Sequence, residues 1–183
     1  HYDLLKDNSI KTGDIIIVNG NLGDHHACIM SQRMGIRNNI KSDCANLGPL
    51  VKELLKHKIA IRAMRDITRG GLGTILNEIA ETSNITIEIN ESSIPINYEV
   101  KTFCEILGLD PLYMANEGKF LCIISQDDGE KALNIIKNNP LGKNAAIIGK
   151  VVSTDNNLVT VKTRLGGKRI VDILYGEGLP RIC

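Results

Sequence analysis

Short β-branched runs alternate along this chain with stretches in which apolar residues recur every three or four positions. Ile15-Ile-Ile-Val18 lies between Gly13-Asp14 and Asn19-Gly20 and reads as a buried strand. Gly23-Asp24 opens a helix to about Met34, with Asp24 near its positive end. Ser42-Asp43 is placed to cap a second helix over 45–57, with Leu47, Leu50, Val51, Leu54 and Leu55 on one face. A strand over 59–64, a loop over 66–71 and a helix over 72–82 come next. Ile85-Thr-Ile-Glu-Ile89 has the alternation of a half-buried strand. The stripe Val100, Phe103, Cys104 and Leu107 predicts a helix over 98–107, and 119–124 a strand. Asp127-Asp128 caps a helix that stops near Asn138, ahead of Pro140. Strands over 145–152, 158–163 and 168–173 close the pattern. Gly166-Gly167 marks a tight hairpin between the last two.

The resulting order, β-α-α-β-α-β-α-β-α-β-β-β, predicts an α/β (α+β) domain with a mixed sheet and helices packed on it. The domain is expected over 13–173, followed by a flexible tail over 174–183 that contains Gly176, Gly178 and Pro180. The chain begins at His1 rather than Met, so residues 1–12 are expected to be a remnant or linker.

Composition narrows the partners. Lys+Arg 22 against Asp+Glu 21 leaves a formal charge of +1, which gives no bulk attraction to nucleic acid or an anionic membrane. Aromatics are 3% with no Trp, too few for stacking platforms on single-stranded nucleic acid. The aliphatic runs fall far short of the ~20 residues of a membrane span. The five cysteines form no CxxC pair and are odd in number, which disfavours a disulfide framework or zinc ribbon and fits a reducing, cytoplasmic setting. Cys28, Cys104 and Cys122 sit among apolar neighbours and are expected in the core.

Four segments carry candidate chemistry. Asp66-Ile-Thr-Arg-Gly-Gly-Leu-Gly73 joins a strand to a helix. Backbone N–H groups there can hold a phosphate or carboxylate, and Arg69 can add a bidentate grip. A plain tight turn, with Asp66 and Arg69 paired to neighbours, fits the same residues. Gly20-Asn-Leu-Gly-Asp-His-His26 is a similar turn; adjacent helical side chains diverge by roughly 100°, so His25 and His26 do not chelate one metal, and no metal site is expected. Glu117 opens a strand and can act as a base if its surroundings favour it, or pair with a lysine. Cys183 is the last residue, with Arg181 nearby to favour the thiolate. Ten residues from Leu174 reach at most ~33–36 Å, the build of a carrier arm.

Taken together, several segments resemble the HypE family of hydrogenase maturation factors, within the AIR-synthase-like (PurM-related) ATP-binding superfamily. They are Gly20-Asn-Leu-Gly-Asp-His25, Ser42-Asp-Cys44, Arg65-Asp-Ile-Thr-Arg-Gly-Gly-Leu72 with Asn77-Glu78, Leu109-Asp-Pro-Leu112, Ala115-Asn-Glu-Gly-Lys119, Gly166-Gly-Lys-Arg-Ile-Val-Asp172 and Leu179-Pro-Arg-Ile-Cys183. The last of these is the most specific. The resemblance covers the C-terminal half of that family and implies a three-layer α/β/α sandwich of the AIR synthase C-terminal type. It implies a carbamoyl dehydratase. Cys183 would receive a carbamoyl group from HypF, ATP with Mg2+ would drive its dehydration to a thiocyanate, and the cyano group would pass to iron in a HypC–HypD complex. ATP would be bound mainly by the N-terminal half, which would also form a homodimer. Carried over by residue, Cys183 is the substrate-bearing nucleophile and Glu117 the base. Thr68, Arg69, Gly70 and Gly71 would dock phosphate or the tail, with His25 a weaker candidate. The fragment alone is expected to be inactive. A non-catalytic carrier module, or another enzyme of the superfamily such as a selenophosphate synthetase, remains open as an alternative.

Overall fold

The computed structural model describes residues 10–173. Its strands are β1 (Ile15–Val18), β2 (Ile61–Asp66), β3 (Thr86–Asn90), β4 (Phe120–Ile124), β5 (Ala146–Ser153), β6 (Val159–Lys162) and β7 (Lys168–Ile170). The helices are α1 (Asp24–Arg33), α2 (Gly48–Lys56), α3 (Gly71–Ser83), α4 (Tyr98–Leu107) and α5 (Gly129–Lys137). Element order agrees with the order expected from the hydrophobic pattern.

The strands form one seven-stranded sheet in the order β2-β4-β1-β5-β3-β6-β7. It is mixed: β3 and β6 run parallel and the other neighbours antiparallel. The continuous apolar runs of β1 and β4 follow from their central place, because both faces of these strands are covered. Ile16, Val18, Leu121 and Ile123 point toward α3, which presents Leu72, Ile75, Leu76, Ile79 and Ala80. Ile17, Phe120, Cys122 and Ile124 point the other way, onto Leu50 and Leu54 of α2 and Ala132, Leu133 and Ile136 of α5. Each buried Leu or Ile contributes roughly 1.5–3 kcal/mol, so the two layers supply most of the fold's stabilisation. A smaller cluster, Ala27, Val100, Phe103, Cys104 and Met114, joins α1 to α4. Helices therefore flank both faces, as the three-layer expectation requires.

Four local expectations are corrected. The second helix starts at Gly48, not near Ala45, with Pro49 in its first turn, where a missing N–H costs nothing. Ser42 and Asp43 lie upstream in an irregular stretch and do not cap it. Asp128 precedes α5 without a side-chain cap bond; its Oδ2 instead accepts the Ala60 N–H at 2.8 Å, tying α5 to the start of β2. β7 ends at Ile170 because the next residues turn onto α3, where Asn77 donates to the Val171 carbonyl and Tyr113 to that of Asp172. Cys28 is half-buried, unlike the buried Cys104 and Cys122.

Candidate active site

Three loops meet at one end of the sheet. β1 and β2 end there and β4 begins there, with Val18 opposite Leu121 and Asp66 opposite Phe120. The loop after β1 leads to His25, the loop after β2 holds residues 68–71, and the loop before β4 holds Glu117. Backbone bonds lash them together. Ile67 N–H donates to the Lys119 carbonyl at 2.9 Å, and His26 N–H to that of Ala115 at 3.2 Å. The buried Asn116 side chain accepts the Gly23 N–H at 2.9 Å. The fold thus gathers the predicted residues of the described chain onto neighbouring loops and the first turns of α1 and α3. Cys183 lies outside the described residues.

The glycines that open α3 are packed closely on the side where a Cβ would stand. Gly71 has φ +66°, and a Cβ there would lie 2.5 Å from the Leu112 carbonyl oxygen. At Gly73 a Cβ would lie 2.7 Å from the Tyr113 ring. The space the glycines leave is filled by the chain's own turn at Pro111–Tyr113. Thr68 and Arg69 are exposed, and Arg69 makes no ion pair among the described residues, unlike Arg65, which meets Glu78 at 2.8 Å. Arg69 therefore leaves its charge open to solvent.

Glu117 is held through its backbone, whose N–H donates to Asp43 Oδ1 at 3.1 Å. Lys119 Nζ lies 3.1 Å from Asp43 Oδ2, with only 11% and 2% of the two side chains exposed. That oxygen has the ammonium within ion-pair reach but no aligned hydrogen bond. Between them, a Cβ on Gly118 would lie 1.9 Å from the Asp43 carbonyl oxygen, so only glycine fits. His25 Nδ1 lies 2.9 Å from Ser42 Oγ, one residue before Asp43.

Beside these loops opens a cavity of about 620 Å3, with Asn19, Asp24, Asp43, Asn97, Gly118 and Lys119 on its wall. This is within the range of small-molecule sites. His25, Glu117 and 68–71 are not in its lining. The Asp24 carboxyl is pushed above the usual carboxylate range, chiefly by burial, against a hydrogen bond from Asn97 and the charge of Lys119. His26 is pushed down to about 4 by burial and by the neighbouring His25. It is neutral at pH 7; Nδ1 accepts the Ala115 N–H at 3.3 Å, so the proton sits on Nε2, which faces Met30 Sδ. Burial raises the Cys104 thiol to about 11 and the Cys122 thiol further, so neither is a nucleophile at neutral pH.

Sequence reasoning missed Asp43, Lys119, Asp24 and His26. Asp43 has the residue type and the place of a helix cap, which hides its distant contacts. The coupling of Asp43 to residues 117–119 spans 74 positions and leaves no periodic trace.

The AIR synthase related protein, C-terminal domain family matches residues 11–162. The chain belongs to that family. Within it, the carbamoyl dehydratase HypE of Rhodobacter capsulatus is 45% identical over 176 residues, which are 95% of this chain and 52% of that protein. A crystal structure of HypE in complex with ATP superposes with a TM-score of 0.91 at 40% identity, over 97% of this chain and 55% of that one. A HypE–HypF complex gives 0.87 at 41% identity, over 92% and 55%. The chain spans about half the length of these relatives. Its mixed sheet with flanking helices is the fold of the HypE structures. Among the described residues no helix is long and apolar enough to cross a membrane, and no group of three or more His, Cys, Asp and Glu is placed to hold a metal.

Proposed function

We propose that this chain is part of a carbamoyl dehydratase serving [NiFe] hydrogenase maturation. The observation that carries this reading is the 45% identity to HypE across 95% of the chain. Cys183 accepts a carbamoyl group from HypF. The carboxamide oxygen leaves as phosphate and the nitrogen gives up both protons, so a thiocyanate remains on sulfur. A HypC–HypD complex then takes the cyano group for the iron centre.

ATP supplies the phosphoryl group that makes a poor leaving oxygen a good one. The residues present fit part of that role, since Arg69 and Thr68 stand exposed to meet phosphate or the tail that bears Cys183. Gly70 and Gly71, at the start of α3, complete that docking turn with their backbone. Mg2+, most of the nucleotide site and the homodimer surface belong to the half of the relatives that this chain does not span. Glu117 takes protons from the carboxamide nitrogen, and carriage on Cys183 keeps that nitrogen intramolecular. His25 stands at the same end of the sheet as an auxiliary polar group. On its own, the chain presents Cys183 to HypF and turns over no ATP.

The test is ADP formation by the full-length protein with HypF, carbamoyl phosphate and ATP. Cys183→Ala is expected to abolish the ADP that accompanies cyano formation. Undiminished ADP formation in that variant would favour an enzyme of the superfamily acting on a free small molecule.

A further inference from the structure

The irregular segment between α1 and α2 touches two candidate groups with consecutive side chains. Ser42 Oγ meets His25 Nδ1 at 2.9 Å, and Asp43 Oδ1 accepts the Glu117 N–H at 3.1 Å. Ser42 Oγ also accepts the Cys44 N–H at 3.2 Å, which folds the segment back on itself. The Asp43 side chain is 2% exposed, although the segment around it is largely open to solvent. Its second oxygen faces Lys119, and its carbonyl occupies the space that a side chain at position 118 would need. A carboxylate is costly to bury, and this one is buried where it grips residues 117–119 from two sides.

From this we infer that Ser42-Asp43 is a positioning strap: Asp43 holds the backbone of Glu117, and so sets the aim of its carboxylate during dehydration. The inference rests on the reading of Glu117 as the base. Asp43 touches no reacting atom; its buried contacts leave the 117–119 backbone one position. A base must lie within about 2.6–3.2 Å of the proton it takes, so a loop that drifts by an ångström loses much of its rate. Lys119 contributes by neutralising Asp43, which lets the strap stay buried. The chemistry served is proton removal from a nitrogen brought in on a thioester-like carbamoyl group.

The experiment compares Asp43→Ala, Asp43→Asn, Glu117→Gln and the double variant Asp43→Ala/Glu117→Gln in the full-length protein. Carbamoylation of Cys183 by HypF and the single-turnover rate of dehydration are measured separately, with a thermal melt for each variant. Asp43→Ala is expected to slow dehydration about tenfold or more while leaving carbamoylation unchanged. Asp43→Asn keeps the acceptor for the Glu117 N–H and is expected to restore most of the rate. The double variant is expected to be no slower than Glu117→Gln alone, because both act through one group. A slow Glu117→Gln beside a wild-type Asp43→Ala overturns the strap and spares the base. Multiplying effects in the double variant, or an Asn variant as slow as the Ala variant, also overturn it. A wild-type rate in Glu117→Gln overturns the base and the strap together. Should Asp43→Ala not fold, Asp43→Leu, which fills the space without an acceptor, is measured in its place: slowed dehydration beside normal carbamoylation supports the strap, and a wild-type rate overturns it.

Discussion

The turn at 68–71 and the cluster around Asp43 sit at the same end of the sheet and differ in the fate of their charges. In the turn, buried Gly71 and Gly73 let α3 press against the chain's own 111–113 turn, while Thr68 and Arg69 stay in solvent. In the cluster, Gly118 lets the backbone at Asp43 close over Glu117 and Lys119, and the charges of Asp43 and Lys119 are paired and buried. Glycine at these loops therefore serves close packing of backbone on backbone in both regions. The turn offers an exposed cation, and the cluster holds the backbone of Glu117 in place.

The largest effect expected is on the turn. Gly71→Ala combines a positive φ with a clash against backbone, and should cost about 3 kcal/mol or more, or prevent folding. A thermal melt close to the parent's would mean that the 111–113 turn can yield.

Next in size is the pH response of His26, which anchors the 115–119 loop to α1. Its folded pKa of about 4 lies below the usual 6.5. The unfolded chain thus takes up a proton first as pH falls, and stability is lost progressively from about pH 6.5 down to 4. The full loss is roughly 3 kcal/mol. Asp24 works the other way: with its carboxyl raised, the fold binds a proton before the unfolded chain does and gains stability as pH falls through the folded value. Urea titrations of His26→Gln across this range should lose the His26 part and leave the opposite slope of Asp24.

Asp43→Ala leaves Lys119 without its buried partner and should destabilise by about 2 kcal/mol, discounted from a fully buried pair because Lys119 keeps 11% exposure. The smallest effect is expected at Arg69. Arg69→Ala should stay within about 0.5 kcal/mol of the parent in a melt. A larger loss would mean that Arg69 supports the fold, and would blur the contrast between the two regions.

The hydrophobic pattern revealed the order of all twelve elements because period and burial coincide in β1, β4 and α4, whose bounds at Tyr98 and Leu107 were legible to the residue. It failed where polar side chains choose distant partners. Ser42-Asp43 and Asp128 have the residue types of helix caps, yet they bond to His25, Glu117 and Ala60. Local rules cannot weigh a contact across 74 positions against one across three. The candidate site was legible as loops, through motif resemblance, and not as contacts. The packing of Gly71 and Gly73 depends on the Pro111–Tyr113 turn, which carries no signal in their own neighbourhood.

Chemistry on the terminal thiol is tested most directly by the mass of the peptide bearing Cys183 after incubation with HypF, carbamoyl phosphate and ATP. This chain would be run beside the full-length protein. A carbamoyl adduct is expected to persist on the chain and to proceed to thiocyanate on the full-length protein. No adduct on either would contradict the proposed function and remove Cys183 from the chemistry.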